Sequence, residues 1–200
     1  GVYAGHIVIS DKVKPNAAAT IAELKALGVR KVVMLTGDDK TVASKVANEL
    51  GLDAFYAELL PDGKVAELEA LENDPARRGA VVFVGDGMND APVLVRSDVG
   101  FAMGGLGSDA AIEAADVVVM DDHIARIPLA IRISRFTRRI VIQNIAMALV
   151  VKAVFLSLGA LGVANMWEAV IGDVGVSILA VLNSVRTSGY ARRQRDGAAS

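Results

Sequence analysis

The residues best placed to do chemistry lie in Gly85-Asp86-Gly87-Met88-Asn89-Asp90-Ala91-Pro92, directly after the apolar run Ala80-Val81-Val82-Phe83-Val84. Two carboxylates and a carboxamide in one tight turn are hard oxygen donors, the set that Mg²⁺ beside a phosphoryl group requires. Glycines let the backbone turn sharply, and the end of a buried strand presents such ligands at the carboxyl edge of a sheet. A second candidate is Thr36-Gly37-Asp38-Asp39, between the strand-like run Lys31–Leu35 and a helical stretch Lys40–Leu50 closed by Gly51. A hydroxyl and backbone N–H groups at a strand-to-helix turn suit a phosphate oxygen, with Asp39 as the helix N-cap. The third is Lys64 in Pro61-Asp62-Gly63-Lys64, at the head of the helical run Val65–Leu71, where a fixed cation can neutralise a phosphoryl group and a neighbouring carboxylate.

The elements that must position these groups alternate along the first part of the chain. Ile7–Ile9, Val32–Leu35, Ala54–Tyr56, Val81–Val84, Val99–Ala102 and Val117–Met120 read as short buried strands. Ala17–Leu27, Lys40–Leu50, Val65–Leu71 and Ala110–Ala115 read as helices between them. Such alternation predicts an α/β, Rossmann-like fold with a parallel sheet covered on both faces, its strand ends bringing Thr36, Asp86 and Asp90 together.

Composition changes near residue 125. Residues 1–125 hold 20 acidic and 11 basic side chains, whereas residues 126–200 hold 3 acidic and 10 basic. This asymmetry points to an acidic domain joined to a basic, membrane-associated part. No cysteine is present, which excludes disulfides and thiolate metal sites built from these residues.

From Ile140 to Leu161 an apolar run is broken by Gln143, Asn144, Lys152, Ser157 and Gly159, and a second runs from Met166 to Val185. As helices they are roughly 33 and 30 Å long, against a bilayer core about 30 Å thick. The expected organisation is therefore a domain over 1–125, a basic linker helix over 126–139, spans over 140–161 and 166–185, and a polar tail over 186–200. Arg132, Arg135, Arg138 and Arg139 precede the first span, and Arg186, Arg192, Arg193 and Arg195 follow the second. Positive charge on both flanks predicts both ends in the cytoplasm of a multi-pass protein of the cell membrane, with lipid as a partner. The arginine run is read as a headgroup anchor, and no nucleic acid is expected. Lys152 and Asp173 lie at matching depth, roughly 14 and 11 Å from the link between the spans, and intramembrane charges are functional candidates. His6 and His123 are isolated, Met147 and Met166 read as packing residues, and Glu168 as a residue at the mouth of the hairpin.

The order Thr36, Lys64, then Gly85-Asp86-Gly87-Met88-Asn89-Asp90 resembles the later motifs of the haloacid dehalogenase superfamily. The form continued through Ala91-Pro92 is similar to the phosphorylation domain of P-type ATPases. The resemblance implies that Thr36, with Gly37 and Asp38, contacts an aspartyl phosphate and that Lys64 stabilises its charge. It further implies that Asp86 binds Mg²⁺, with Asn89 and Asp90 completing the site. That family's nucleophile stands in an Asp-Lys-Thr-Gly-Thr motif that this sequence lacks. Asp11 does not substitute for it, because Val13 stands where a phosphatase needs Asp or Thr. Asp11, Lys14 and Pro15 instead match a pattern at the re-entry into the phosphorylation domain. The chain is therefore expected to be the carboxyl-terminal part of a longer pump, inactive alone, its partners the actuator and nucleotide-binding domains and upstream spans. ATP would be the phosphoryl donor.

Within that family, Lys152 and Asp173-Val174-Gly175 resemble the penultimate and last spans of the zinc, cadmium and lead exporters. This implies Zn²⁺, Cd²⁺ or Pb²⁺ as cargo, with Asp173 as ligand and Lys152 as counter-charge. The alternatives are a membrane-anchored phosphatase of the haloacid dehalogenase type and a non-catalytic membrane module that binds metal.

Overall fold

The computed structural model describes residues 13–14, 16–85, 88–104, 109–121, 123–163 and 165–197. The predicted strand Ile7–Ile9, His6, Asp11, Pro15, Asp86 and Gly87 lie outside them. Two compact units meet at Arg126/Ile127.

The first unit alternates helix and strand: α1 (Ala17–Ala26), β1 (Val33–Leu35), α2 (Lys40–Leu50), β2 (Ala54–Tyr56), α3 (Pro61–Glu72), β3 (Val82–Gly85), a 3₁₀ turn (Met88–Asp90), α4 (Ala91–Arg96), β4 (Val99–Met103), α5 (Asp109–Ala114) and β5 (Val117–Val119). Every strand pairing is parallel, β1 with β2 and β3-β4-β5 in a second sheet. Burial is greatest along β4, where Phe101, Ala102 and Met103 are all buried. Leu94 of α4 and Ala111 of α5 pack with Ala102, and Phe83 and Val118 close over them.

Sequence chemistry sets the element ends. Asp39 caps α2, its Oδ1 accepting the Thr41 N–H at 2.7 Å, and Gly51 takes the left-handed conformation that ends it (φ 65°). α3 begins four residues earlier than its apolar run, because Pro61 at the first helical position has no N–H to lose and its ring already fixes a helical φ. Lys64 therefore sits inside the first turns of α3. The short α4 escapes the apolar pattern because six residues give less than two helical turns of periodicity.

The strand entrances share one device. Asp53 Oδ2 accepts the Val32 N–H at 2.7 Å, Asp98 Oδ2 the Val81 N–H at 2.7 Å, and Asp116 Oδ2 the Gly100 N–H at 2.9 Å. Each aspartate directly precedes a strand and ties down the neighbouring one. Part of the acidity of residues 1–125 thus fixes strand register at the end of each strand away from the motif turns. Arg77 reinforces one of these clasps, pairing with Asp98 while donating to the Glu72 and Gly79 carbonyls at 3.0 and 2.8 Å.

One expectation fails at β3, predicted to be buried. Val82 is 42% and Val84 38% exposed while Phe83 between them packs on the core, so among the described residues one face of β3 is covered and the face carrying the two valines is open. Among these residues β3 pairs only with β4, and β1 only with β2.

The second unit is a helical hairpin of α6 (Arg126–Ala160) and α7 (Met166–Gly197). α6 runs without a break through the basic stretch, and α7 continues helical to residue 197. Cross-helix partners lie at similar distances on either side of the link: Lys152 meets Asp173, Asn144 meets Asn183, and Phe136 stacks on Tyr190 with ring centroids 4.2 Å apart. The register is therefore antiparallel throughout. Only 6% of the most apolar window of each helix is buried, unlike a core helix of a soluble protein. Ile142, Leu149, Leu156, Ile171 and Leu182 are all more than half exposed, a far larger apolar surface than a protein in water leaves open.

Candidate functional site

In the first unit the Thr36 turn and the Lys64 helix are fastened together by backbone. Thr36 N–H donates to the Tyr56 carbonyl at 2.9 Å, Leu59 N–H to the Thr36 carbonyl at 3.0 Å, and Glu58 N–H to the Asp38 carbonyl at 2.9 Å. The segment after β2 thus runs along the Thr36–Asp38 turn before entering α3. A Cβ at Gly37 would lie 3.2 Å from the Leu59 carbonyl oxygen, so the close pass needs glycine or a small retreat of the backbone. Glu58 holds φ 59° there, a left-handed conformation that a non-glycine residue adopts at a cost. The Thr36 hydroxyl donates to Asp38 Oδ2 at 2.8 Å and accepts the Asp38 N–H at 3.1 Å, which holds the turn closed.

Lys64 reaches across to the other sheet. Its Nζ lies 2.8 Å from Asp90 Oδ1, the two side chains being only 18% and 12% exposed. A cation near a helix N-terminus opposes the helix dipole, and Leu60 supplies no side-chain cap to α3. The Asp90 carboxylate is what balances that placement. Asp90 in turn presses on the end of β3: a Cβ at Gly85 would stand 2.8 Å from Asp90 Cβ and 2.9 Å from its Oδ2. Gly85 is therefore required by a close approach, whatever its conformation. Glu69 of α3 accepts from Arg96 Nε of α4 at 2.7 Å, a second tie between the halves.

The structure brings together Lys64 with Asp90, and Thr36 with Gly37 and Asp38. Asn89 sits in the 3₁₀ turn beside Asp90. Asp86, the expected Mg²⁺ ligand, lies outside the described residues. Among the described residues no three acidic or histidine side chains cluster as a metal cage. Mg²⁺ does not need one, since it keeps several waters and takes one or two carboxylates plus phosphate oxygens. The Asp90 carboxylate and the carboxamide of the preceding Asn89, on one 3₁₀ turn, are oxygen donors of the right hardness.

In the second unit Lys152 Nζ lies 3.5 Å from Asp173 Oδ1, with the side chains 68% and 60% exposed. Both line an open groove of about 690 Å³ with Ala148, Phe155, Asn165 and Val176. Glu168 is committed elsewhere: its Oε2 accepts the Asn165 N–H at 3.0 Å, while Asn165 Oδ1 accepts the Trp167 and Glu168 N–H groups. This reciprocal cap starts α7 and engages the carboxylate expected at the mouth. Nothing in the sequence singles out Arg77, which donates to Glu72, Gly79 and Asp98, or the pairing of Asn144 with Asn183, although both amides stand out as polar residues in apolar runs.

Residues 2–98 match the haloacid dehalogenase-like hydrolase family. A zinc-transporting ATPase of Synechocystis is 56% identical over 186 residues, 93% of this chain and 26% of that protein. A cadmium, zinc and cobalt-transporting ATPase of Bacillus subtilis is 57% identical over 184 residues, 92% of this chain and 26% of that protein. The chain thus spans about a quarter of the length of these curated relatives. The crystal structure of a zinc-transporting PIB-type ATPase in its E2.Pi state superposes with a TM-score of 0.82 at 40% identity, covering 88% of this chain and 28% of that one. The catalytic domain of the CPx-ATPase CopB-B matches with a TM-score of 0.53 at 32% identity, over 60% of this chain and 45% of that one. The Lys64–Asp90 site, the parallel α/β unit that carries it and the charged helical hairpin all fall within the matched stretch, and the chain belongs to the heavy-metal-transporting P-type ATPases, with their haloacid dehalogenase-like domain.

Proposed function

We propose that this chain couples phosphoryl transfer to export of a divalent heavy metal across the cell membrane, as part of a longer ATP-hydrolysing pump. The observation that carries the reading is the Lys152–Asp173 pair, 3.5 Å apart on two helices of membrane-spanning length. An exposed ammonium beside an exposed carboxylate is an exchangeable pair. A divalent cation arriving at Asp173 displaces Lys152, and the returning ammonium helps expel the cation. Carboxylate oxygen suits Zn²⁺ and Cd²⁺ better than copper(I), which prefers thiolate and thioether ligands. Pb²⁺ is a further cargo of the same charge.

In the first unit Lys64 is held by Asp90 where its charge can face a phosphoryl group, and Thr36 can rotate its hydroxyl from Asp38 to a phosphate oxygen. Asp86, Asn89 and Asp90 would hold Mg²⁺, which supplies neutralisation of phosphoryl charge. The nucleophilic Asp comes from a segment of the pump outside these 200 residues, with ATP delivered by a nucleotide-binding domain. The unpaired sides of β1 and β3 among the described residues favour such a segment lying between them. Both ends of the hairpin face the cytoplasm, where the flanking arginines meet anionic headgroups.

The test is zinc-stimulated ATP hydrolysis by the full-length protein in lipid vesicles, with copper(I) as comparison. Asp173→Ala abolishes zinc stimulation if the reading holds. Unchanged zinc stimulation in that variant sinks it, and turnover of p-nitrophenyl phosphate lost in Asp11→Asn would establish the phosphatase alternative instead.

A further inference from the structure

We infer that Asn144, Asn183 and Ser184 form an interhelical clamp that sets the register of the hairpin and so positions Lys152 against Asp173. Asn144 Nδ2 donates to the Ala180 carbonyl at 3.1 Å and to Ser184 Oγ at 3.0 Å, and its Oδ1 accepts from Asn183 Nδ2 at 2.8 Å. Asn183 Nδ2 also reaches Gln143 Oε1 at 3.5 Å, and its Oδ1 accepts from Arg186 Nη1 at 2.9 Å. Both protons of the Asn144 amide and its oxygen are thus engaged by the facing helix.

Apolar side chains facing one another in lipid give little resistance to sliding, because the hydrocarbon is as apolar as they are. An amide has specific partners. Slipping one residue moves a helix about 1.5 Å along its axis and turns the next side chain by about 100°, which takes Asn144 away from Ala180, Asn183 and Ser184 at once. Its amide would then lose all three protein partners at once and would have to find others at the headgroup boundary, since Asn144 and Asn183 lie within roughly 6 Å of the arginine-flanked ends of the spans. The Lys152–Asp173 contact cannot fix the register itself. It is long at 3.5 Å, both partners are more than half exposed, and the lysine stem is flexible. The clamp lies about 12 Å along α6 from Lys152 and about 15 Å along α7 from Asp173, so it acts on the ion pair through rigid helix and never touches the cation.

This positioning role rests on the pump reading, but the register can be read without metal or ATP. The chain contains no cysteine, so Ala148→Cys/Val176→Cys reports the observed register and Ala148→Cys/Ser177→Cys a register offset by one residue. In lipid vesicles oxidative cross-linking of the first pair is expected to be at least tenfold faster than that of the second. With Asn144→Leu and Asn183→Leu added, the two rates should come within threefold; an unchanged ratio overturns the clamp. Should the double substitution prevent insertion, Asn183→Ser is read in its place, with the ratio expected to fall at least threefold and an unchanged ratio again overturning the clamp. In the full-length protein, Asn144→Leu should raise the zinc concentration for half-maximal ATP hydrolysis about tenfold with kcat within threefold. A fall in kcat with that concentration unchanged shows a general structural role and refutes positioning. If Asp173→Ala leaves zinc stimulation intact, the pump reading fails while the cross-linking result stands.

Discussion

Replacing Lys64 with Met tests the link that assembles the candidate phosphoryl site. The substitution keeps most of the apolar stem and removes the ammonium, leaving Asp90 without the cation 2.8 Å away. Where the site lies between surface and interior decides the magnitude. Exposed ion pairs contribute about 0–1 kcal/mol, whereas removing one partner of a buried pair costs about 3–5 kcal/mol. With side chains 18% and 12% exposed, Lys64 and Asp90 stand much closer to the buried limit, so a cost of about 3 kcal/mol is expected. Asp90 has no easy retreat, since its Cβ is pressed against Gly85. Hydrogen exchange of α3 and α4 amides in the lipid-held chain reads this as faster opening, by about two orders of magnitude. In Lys64→Met/Asp90→Asn the cost should be smaller than the sum of the single costs by about 1–3 kcal/mol, because the double variant strands no charge whereas each single variant strands one. Additive costs, or a loss under about 1 kcal/mol in Lys64→Met, would place the pair among solvated surface contacts and refute the assignment of Lys64 as a cation held by Asp90.

Gly85→Ala pushes a methyl group into Asp90 and should lower stability by about 1–3 kcal/mol, seen as an earlier urea midpoint; an unmoved midpoint means Asp90 can yield. The Asp53 carboxyl is held below the usual carboxylate range, first by the Lys25 ammonium and then by the Val32 N–H. A depressed folded pKa gives stability that is complete above the unfolded value of about 3.9 and is lost as pH falls through the folded value. Asp53→Asn should therefore cost about 1 kcal/mol at neutral pH, the scale of a half-exposed ion pair, and the gap from the parent chain should narrow in acid, as thermal unfolding across that range will show. Lys152→Met removes the counter-charge beside Asp173, so the full-length protein should retain more zinc through dialysis, measured by elemental analysis, while turning over more slowly; zinc content equal to the parent's rejects the displacement role.

How legible the molecule was in its sequence varied with the range of the interaction. The strand Ala54–Tyr56 and the helix Lys40–Leu50 coincide with their apolar runs and their Asp39 and Gly51 punctuation. The early start of α3 was available in Pro61, a residue suited to a first helical position, but the apolar run alone hid it. Nothing local marked Asp53, Asp98 and Asp116 as strand clasps, because their partners are backbone groups 16 to 21 residues away. The exposure of Val82 and Val84 was equally hidden, since an all-apolar strand has the same composition whether one face or both are covered.

The sequence alone determined which chemistry was available: oxygen donors and a threonine at strand ends, a lysine after Pro61, two apolar runs of membrane length, and a charge deep in each. These features are read from residue types and periods of two or 3.6, which are properties of a few consecutive residues. Only the tertiary structure decided that Lys64 spends its charge on Asp90, that Glu168 caps α7, and that Asn144 and Asn183 close on one another. Each of these depends on the register and rotation of elements separated along the chain or by a turn. Register and rotation are set by how whole faces pack, so a short window of sequence names the groups and the packing chooses their partners.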